Sequence, residues 1–196
     1  MGPALFSARG HAVCELEADD VPRVQALYES SPEYFQTVNG RPPRADEAQE
    51  EFDERPPAHL GYTKRWFMGA VDEEGALAGV VIVVSDLCAP HVWHLALFLV
   101  ATPLRGTGLA ADLHAALERW VGEGGAHWLR LNVVAGNTAA ERFWVRQGYE
   151  QVRTRDDIDT GGRLNTVRVM VKRLCRRPIE DYLALVPRDR PGSDLP

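Results

Sequence analysis

The amino-acid sequence predicts one mixed α/β domain, and its length and two patterns support this fold class. With 196 residues, the chain is long enough for one domain with a sizeable core. Strand-like runs separated by turn residues fill the middle of the chain, and after them strands alternate with helices. The first pattern is typical of an antiparallel meander and the second of a strand–helix–strand crossover. We therefore predict a single domain over residues 1–175, followed by a tail over residues 176–196 with one short helix.

The first part of the chain predicts one strand and then short helices. Residues His11–Glu17 alternate loosely between apolar and polar, as a strand does. A helix is expected after Asp20, because Pro22 suits the first helical turn, where its missing N–H costs nothing. Further helical stretches begin at Ser31 and cover Asp46–Glu54.

The rest of the domain predicts strands and two longer helices. An Asp-Glu-Glu-Gly sequence over residues 72–75 indicates a hairpin between the first two of these strands. Apolar residues at helical spacing predict one helix from Gly108, and Asn137 caps a second over Thr138–Gln147. In the tail, Ile179–Leu185 predicts a short helix, after which we expect the chain to fray. The predicted strands are Arg65–Val71, Leu77–Ser85, His91–Val100, His127–Val134, Tyr149–Arg155 and Asn165–Arg173.

The overall charge argues against a general nucleic-acid binder. The chain has 28 Asp and Glu against 22 Lys and Arg, a formal net charge of −6. Nucleic-acid binding depends on clustered positive charge. The negative balance mildly favours a cationic or amine substrate, but a solvated acidic surface explains it equally well.

The cysteines and apolar runs favour a cytoplasmic protein without a metal site. Cys14, Cys88 and Cys175 are odd in number and far apart, which disfavours a disulfide framework or a zinc site. The longest apolar run, Leu95–Ala101, is far shorter than the roughly 20 residues of a membrane helix. The sequence from Met1 lacks a basic region followed by an apolar one, so we expect no signal peptide.

A glycine turn between a strand and a helix is the sharpest local feature. It comprises Arg105–Ala110, with the sequence Arg-Gly-Thr-Gly-Leu-Ala. The first N–H groups of a helix have no partner within it, and glycines let an anion approach them closely. Arg105 adds a positive charge for the same phosphates. A turn that binds nothing is the alternative.

The same glycines also match a dinucleotide-binding pattern, through Gly106, Gly108 and Ala111. That pattern requires an acidic residue at the end of the next strand. Here that strand ends Asn-Val-Val-Ala over residues 132–135. The missing acid makes a nicotinamide-binding protein the weaker alternative.

Two motifs in order resemble the GNAT superfamily of N-acetyltransferases. The first is the turn Arg105–Ala110 after the strand Leu95–Val100, which resembles the family's Arg/Gln-x-x-Gly-x-Gly/Ala sequence. The second is Asn137-x-x-Ala140-x-x-Phe143-Trp144-x-x-x-Gly148-Tyr149, which resembles the family's segment after the next strand. The resemblance covers roughly residues 10–173.

The resemblance implies a fold and a cofactor site. The fold is a twisted, mostly antiparallel sheet of about seven strands flanked by helices, with a splay between the fourth and fifth strands, which end near Val100 and Val134. Acetyl-CoA is expected to lie in this splay. Core packing alone remains an alternative for Phe143 and Trp144. The implied cofactor-binding residues are Phe98, Leu99 and Val100 for pantetheine, Arg105, Gly106, Thr107, Gly108, Leu109 and Ala110 for pyrophosphate, and Asn137, Phe143 and Trp144 alongside.

The resemblance also suggests catalytic and acceptor residues. His94 lies on the cofactor-binding strand, where some family members place a histidine base, and its ordinary pKa suits that task; a hydrogen-bonded histidine beside the core is the alternative. Tyr34 and Phe35 fall where the family builds the acceptor wall, with packing of an amphipathic helix as the alternative. The backbone N–H near Leu99 is expected to serve the oxyanion.

One departure from the family pattern concerns the thiolate leaving group. Trp144 stands where the family often has a tyrosine, and an indole N–H is not a proton donor at neutral pH. Tyr149 has the hydroxyl that could protonate the thiolate in place of that tyrosine, but it lies at the start of the next strand.

The sequence thus predicts transfer of an acetyl group from acetyl-CoA to a primary amine by direct attack in a ternary complex. The alternative is a non-catalytic acyl-CoA-binding module. We expect a small-molecule or peptide amine acceptor, no metal, no nucleic-acid or membrane partner, and a monomer or homodimer.

Overall fold

Eight β-strands form one sheet in a computed structural model that describes residues 2–195. The strand order is β1-β2-β3-β4-β5-β6-β8-β7. Within these residues β5 and β6 pair in parallel, and the other neighbouring strands are antiparallel. The strands are β1 Ala4–Ala8, β2 His11–Glu15, β3 Arg65–Val71, β4 Leu77–Val84, β5 Val92–Val100, β6 Trp128–Val134, β7 Glu150–Asp159 and β8 Leu164–Arg173.

Helices cover both faces of this sheet. Helices α4 and α5 pack on one face, over a core that includes Leu113, Leu117 and Trp144. Helices α1 to α3 lie on the other face, over a core that includes Tyr28 and Phe35. No helix within residues 2–195 has the length and apolar character to cross a bilayer. The helices are α1 Val21–Glu29, α2 Pro32–Val38, α3 Glu47–Asp53, α4 Leu109–Glu123, α5 Thr138–Arg146 and α6 Ile179–Leu185.

The predicted fold class is confirmed, and the sheet has one strand more than the sequence predicted. The additional strand is β1, which pairs with β2 through the turn at Arg9 and Gly10. It lies at the sheet edge and has no regular alternation of buried and exposed residues. Its conformation is therefore set by pairing with β2 more than by its own sequence pattern.

The sheet opens between β5 and β6, as the resemblance predicted for the corresponding strands. Parallel pairing starts at Val92 opposite Trp128 and stops at Leu95 opposite Leu131. Beyond this point β6 pairs with β8, and β5 pairs with β4. A β-bulge lies at the point of separation, because Ala96 is skipped in the register between β4 and β5. Such a bulge bends a strand and disrupts the ladder locally.

The C-terminal segment packs against the sheet, so the expectation that it frays after residue 185 is wrong. Tyr182 on α6 is fully buried against Trp128 on β6, and Val186 joins the same cluster. Asp189 is fully buried as well and forms an ion pair with Arg130 on β6. The sequence did not predict this packing, because a segment rich in Arg, Pro and Asp is typical of a solvent-exposed tail. Met1 and Pro196, the ends of the predicted domain and tail, lie outside the described residues.

Candidate active site

The glycine turn presents backbone N–H groups at the start of α4. Gly106 and Gly108 have φ angles of 79° and 93°, a conformation that costs a residue with a Cβ far more than glycine. Within residues 2–195, no acceptor is found for the N–H groups of Gly106, Gly108 or Ala110. Three such donors at a helix N-terminus form an anion-binding site.

Two arginines approach this turn, and sequence reasoning found only one of them. Arg105 folds back: its Nε donates to the Val100 carbonyl at 3.3 Å, and its Nη1 lies 3.6 Å from Glu33 Oε2. Arg9, from the turn between β1 and β2, reaches over Gly108 instead. A Cβ placed on Gly108 would lie 2.8 Å from Arg9 Nη1. Arg9 was missed because it lies far away along the chain, in a turn with no motif.

Arg9 is also held in place. Its Nη1 is 2.9 Å from Oδ2 of Asp112 in the first turn of α4, and both side chains are about half exposed. An ion pair this exposed stabilises the fold little, so the arginine can exchange Asp112 for another anion at small cost.

The backbone of β5 is open along the splay. Ala101 donates its N–H to Ala78 on β4, and peptide groups alternate in direction along a strand. Val100 and Phe98 therefore direct their N–H and C=O groups away from β4, into the splay. The hydrogen bond from Arg105 to the Val100 carbonyl agrees with this direction. Leu99 differs from our expectation, because by the same alternation its N–H faces β4.

An aromatic cluster borders the splay on the α4 and α5 side. Phe98 lies 6.1 Å from Phe143 and 5.5 Å from Trp144, measured between ring centroids. Phe143 is half-buried, whereas Trp144 is buried with 7% exposure. Asn137 caps α5 as predicted, by accepting from the Ala140 N–H at 3.2 Å. Core packing thus accounts for most of the Trp144 surface.

Tyr149 is unsuited to protonate a leaving thiolate. Its hydroxyl lies 3.0 Å from Nε2 of His114, inside the core. Burial raises the pKa of Tyr149 well above its ordinary value, and it lowers the pKa of His114 to about 4. The pair is neutral and buried beneath the aromatic cluster, with ring centroids 5.3 Å apart for Tyr149 and Trp144 and 6.2 Å apart for His114 and Phe98.

A cavity of about 230 Å³ opens beside the bulge, on the face opposite the aromatic cluster. Ala96 and Asn132, from the two strands that separate, both line it. Its walls come from segments far apart in sequence, so no contiguous motif predicted it. The lining residues are Glu51, Glu54, Arg55, Pro56, Pro57, Leu60, Arg65, Ile82, Val84, Leu87, Cys88, His94, Ala96, Arg130, Asn132, Arg155 and Arg188.

His94 lines this cavity, but its surroundings do not support the predicted role of base. Arg130 Nη1 donates to His94 Nδ1 at 3.2 Å, so the lone pair of Nδ1 is engaged and Nε2 carries the ring proton. Burial, together with the positive charge of Arg130, lowers the pKa of His94 to about 3. A neutral imidazole with its lone pair occupied is a hydrogen-bond donor here. The partner that decides this is 36 residues away, beyond the reach of sequence reasoning.

The Arg130 side chain is held by the C-terminal segment. Its Nε and Nη2 donate to the two carboxylate oxygens of Asp189 at 2.7 Å and 3.1 Å. The Tyr182 hydroxyl donates to the same carboxylate. This bidentate pairing fixes the guanidinium in the plane that reaches His94.

Two glutamates one turn apart on α3 have opposite environments. Glu47 accepts hydrogen bonds from Asn39, Arg41 and the Arg44 N–H. Burial opposes its ionisation, but the hydrogen bonds from Arg41 and the Arg44 N–H and the charges of both arginines lower its pKa overall. For the carboxylate of Glu51, no hydrogen-bond donor is found within residues 2–195.

Burial raises the pKa of Glu51 to about 7, and the charges of Glu54 and Glu47 act in the same direction while Arg65 opposes them. A carboxyl in a cleft that titrates near neutral pH is a candidate functional group.

The predicted acceptor residues Tyr34 and Phe35 lie outside the cavity lining. Phe35 is 2% exposed and packs against Tyr28 with ring centroids 4.8 Å apart. It is therefore a core residue, and its burial favours the packing alternative over contact with the acceptor. Tyr34 is half-buried, and burial and the carboxylates of Glu51 and Glu47 raise the pKa of its hydroxyl. Within residues 2–195, no group of three or more His, Cys, Asp or Glu is placed to hold a metal ion.

The chain matches a known family and several solved structures. A model of the Acetyltransferase (GNAT) family matches residues 24–149, more than half of the chain. No curated protein matches the chain in sequence.

The similar structures are acetyltransferases of low identity. An acetyltransferase from Thermus thermophilus is 20% identical with a TM-score of 0.65, and the match covers 86% of this chain and 99% of that chain. A GCN5-related N-acetyltransferase from Kribbella flavida is 22% identical with a TM-score of 0.62, covering 84% and 98%. Spermidine N-acetyltransferase from Vibrio cholerae, in complex with CoA and spermine, is 16% identical with a TM-score of 0.65, covering 84% and 95%. At these identities the likeness shows the fold alone.

Proposed function

The chain belongs to the GNAT acetyltransferase family, and we propose that it transfers an acetyl group from acetyl-CoA to a primary amine by direct attack in a ternary complex. Acetyl-CoA-dependent acyl transfer is general for the family. One observation carries the proposal: the open edge of β5 connects the anion-binding turn at one end with the cavity beside Ala96 at the other.

The residues around the splay fit acetyl-CoA. The N–H groups of Gly106, Gly108 and Ala110 suit its pyrophosphate, and Arg9 lies close enough to add positive charge. The outward-facing peptides of Phe98 and Val100 suit the amide groups of pantetheine. Asn137, Phe143 and Trp144 stay proposed neighbours of that arm, and Arg105, Thr107, Leu109 and Leu99 stay proposed contacts around it.

Acyl transfer needs a group that takes the amine proton, and Glu51 suits this role better than His94. It lines the same cavity as Ala96, and its raised pKa contrasts with that of Glu47, which hydrogen bonds keep ionised. In the proposed step, the amine nitrogen forms a bond to the acetyl carbon, Glu51 accepts the proton, and the carbon–sulfur bond breaks to release the CoA thiolate. The Phe98 N–H, which faces the splay, is the proposed oxyanion donor in place of Leu99.

A thiol-release assay combined with calorimetry tests the proposal. The protein should bind acetyl-CoA with a stoichiometry of about one per chain, and some primary amine in a broad panel should release free CoA thiol. Absence of acetyl-CoA binding would refute the proposal.

A non-catalytic acyl-CoA-binding module is the second candidate, favoured by the engaged lone pair of His94 and by Trp144 in the position often held by tyrosine. Tight CoA binding without turnover of any amine supports that candidate instead. The three cysteines are unpaired thiols, which supports a cytoplasmic location, and a monomer or homodimer stays a prediction.

A further inference from the structure

We propose that the cavity beside Ala96 selects an amine that also carries an anionic group, with the amine near Glu51 and the anionic group between Arg155 and Arg188. This inference rests on the proposed acetyl transfer and names its substrate class. The net charge of −6 mildly favoured a cationic substrate, but more arginines than glutamates line the cavity, so its charge balance is positive.

Positive charge predominates in the cavity wall. Five arginines and two glutamates are among its lining residues. Arg130 is neutralised by Asp189, and Arg65 donates to backbone carbonyls on α3. Exposed Arg55 likewise donates to backbone carbonyls at its own turn. Arg155 and Arg188 have no acidic partner among residues 2–195.

These two arginines lack the acceptors that a buried guanidinium requires. Nε of Arg188 is buried with no hydrogen-bond partner within residues 2–195, and its Nη1 only approaches Cys88 Sγ at 3.9 Å. Arg155 is half-buried, and no acceptor for its side chain is found in the described part of the chain. A buried donor without a partner is costly, so the site is built to receive acceptor oxygens.

The arginines also lie close enough to repel each other. Burial and the charges of Arg188, Arg153 and Arg130 all lower the pKa of Arg155. Asp189 offsets part of this repulsion, but its two oxygens already accept from Arg130 and Tyr182. An anion between Arg155 and Arg188 would relieve both the repulsion and the missing hydrogen bonds.

The position of Arg188 is fixed before any ligand arrives. Its neighbour Asp189 is anchored on β6 through Arg130, and Arg153 on β7 donates to the carbonyls of Arg188 and Ser193. A preorganised pair of guanidinium groups binds a planar anion at a lower entropic cost than a mobile pair. A polyamine, in contrast, would bring its second positive charge against these arginines.

Matched amines test the inference. A series of ω-amino carboxylates from glycine to aminohexanoate is compared with alkylamines of the same chain length and with phosphoethanolamine, by CoA thiol release and by calorimetry in the presence of CoA. At least one amino carboxylate should exceed its alkylamine about tenfold or more in kcat/KM. Phosphoethanolamine exceeding every carboxylate would assign the anionic group to phosphate and keep the inference.

Arg155→Gln and Arg188→Gln should each lower kcat/KM for the anionic amine much more than kcat/KM for the alkylamine, so that most of the preference is lost, while acetyl-CoA affinity stays the same. Arg119→Gln, at an exposed position on α4, is the matched control. Acetylation of alkylamines at least as fast as of the anionic amines overturns the inference but leaves the proposed function intact. If acetyl-CoA binds but no amine is acetylated, the proposed function fails. In that case calorimetry decides the inference, and absence of amino-carboxylate binding overturns it as well.

Discussion

The two ends of the proposed site are built from different parts of the chain. The donor end is made largely of backbone groups from one contiguous stretch, residues 98–110, with Arg9 and the proposed neighbours Asn137, Phe143 and Trp144 added from elsewhere in the chain. The acceptor end is made of residues from α3 and the loop after it, five strands, the loop between β4 and β5, and the segment after α6. Backbone N–H groups bind phosphate whatever the neighbouring side chains are, whereas selection among amines depends on particular charges. The donor end can therefore stay the same among related proteins while the acceptor end changes.

The largest effect should come from a change confined to the acceptor end. Glu51→Gln is expected to lower kcat/KM at pH 8 by about 100-fold or more, because it removes the proposed base. In the unaltered protein the rate should rise as the pH increases through about 7, where the carboxyl of Glu51 ionises; the variant should lose this rise. Steady-state kinetics from below to above this pKa measure both effects.

Three controls keep this result specific to the acceptor end. Acetyl-CoA affinity should be unchanged. Glu50→Gln, at an exposed position of the same helix, should behave like the unaltered protein. Because the pKa of Glu51 is raised from 4.5 to about 7 in the folded state, the fold loses stability as the pH rises between these two values and keeps that loss at pH 8. Glu51→Gln should therefore melt no lower than the unaltered protein at pH 8. An unchanged pH profile would exclude Glu51 as the base.

A second change tests whether the acceptor end depends on the C-terminal segment. Asp189→Ala leaves the buried guanidinium of Arg130 without its partner, and the expected loss of stability is about 3–5 kcal/mol. Chemical denaturation measures it. Asp194→Ala, at an exposed position nearby, should change stability by less than about 0.5 kcal/mol. Equal stability of the two variants would show that the segment only lies on the surface.

The converse change is confined to the donor end. Gly108→Val places a β-branched residue at a φ of 93° and against Arg9. We expect a cost of about 1–3 kcal/mol and acetyl-CoA binding weakened about tenfold or more, since the N–H groups move out of position. Calorimetric titration checks the affinity. Gly122→Ala, where a Cβ meets no atom within 4 Å, is the control, and unaltered binding by Gly108→Val would argue against the turn as the phosphate site.

The smallest effect is expected at His94. His94→Gln keeps an oxygen that can accept from Arg130, so kcat/KM should fall far less than the roughly 100-fold that follows removal of a base. Because the pKa of His94 is about 3, no change in its charge should contribute to the pH profile near neutrality. A loss as large as that of Glu51→Gln would restore His94 as the base.

Local sequence signals describe the strand and glycine turn of the proposed donor end far better than the cavity of the acceptor end. Helices, strands and the glycine turn have local signals, and Arg65–Val71 and Ile179–Leu185 were predicted with the bounds that the structure gives them. His94 lines the cavity, but its hydrogen bonding depends on Arg130 and Asp189, which reach it only in the folded sheet. Glu51 looks like any helical glutamate until its burial distinguishes it from Glu47.

The bulge at Ala96 adds one residue to β5 without changing which later side chains face each core. Before it, Trp93 and Leu95 face the core beneath α4 and α5, and after it, Leu97 and Leu99 face the core beneath α1 to α3. Deleting Ala96 would join Leu95 directly to Leu97 and restore regular pairing with β4, so every later side chain would keep its present face. The expected consequence of losing this alanine is therefore loss of the local bend at the point where β5 and β6 separate, with both cores left intact.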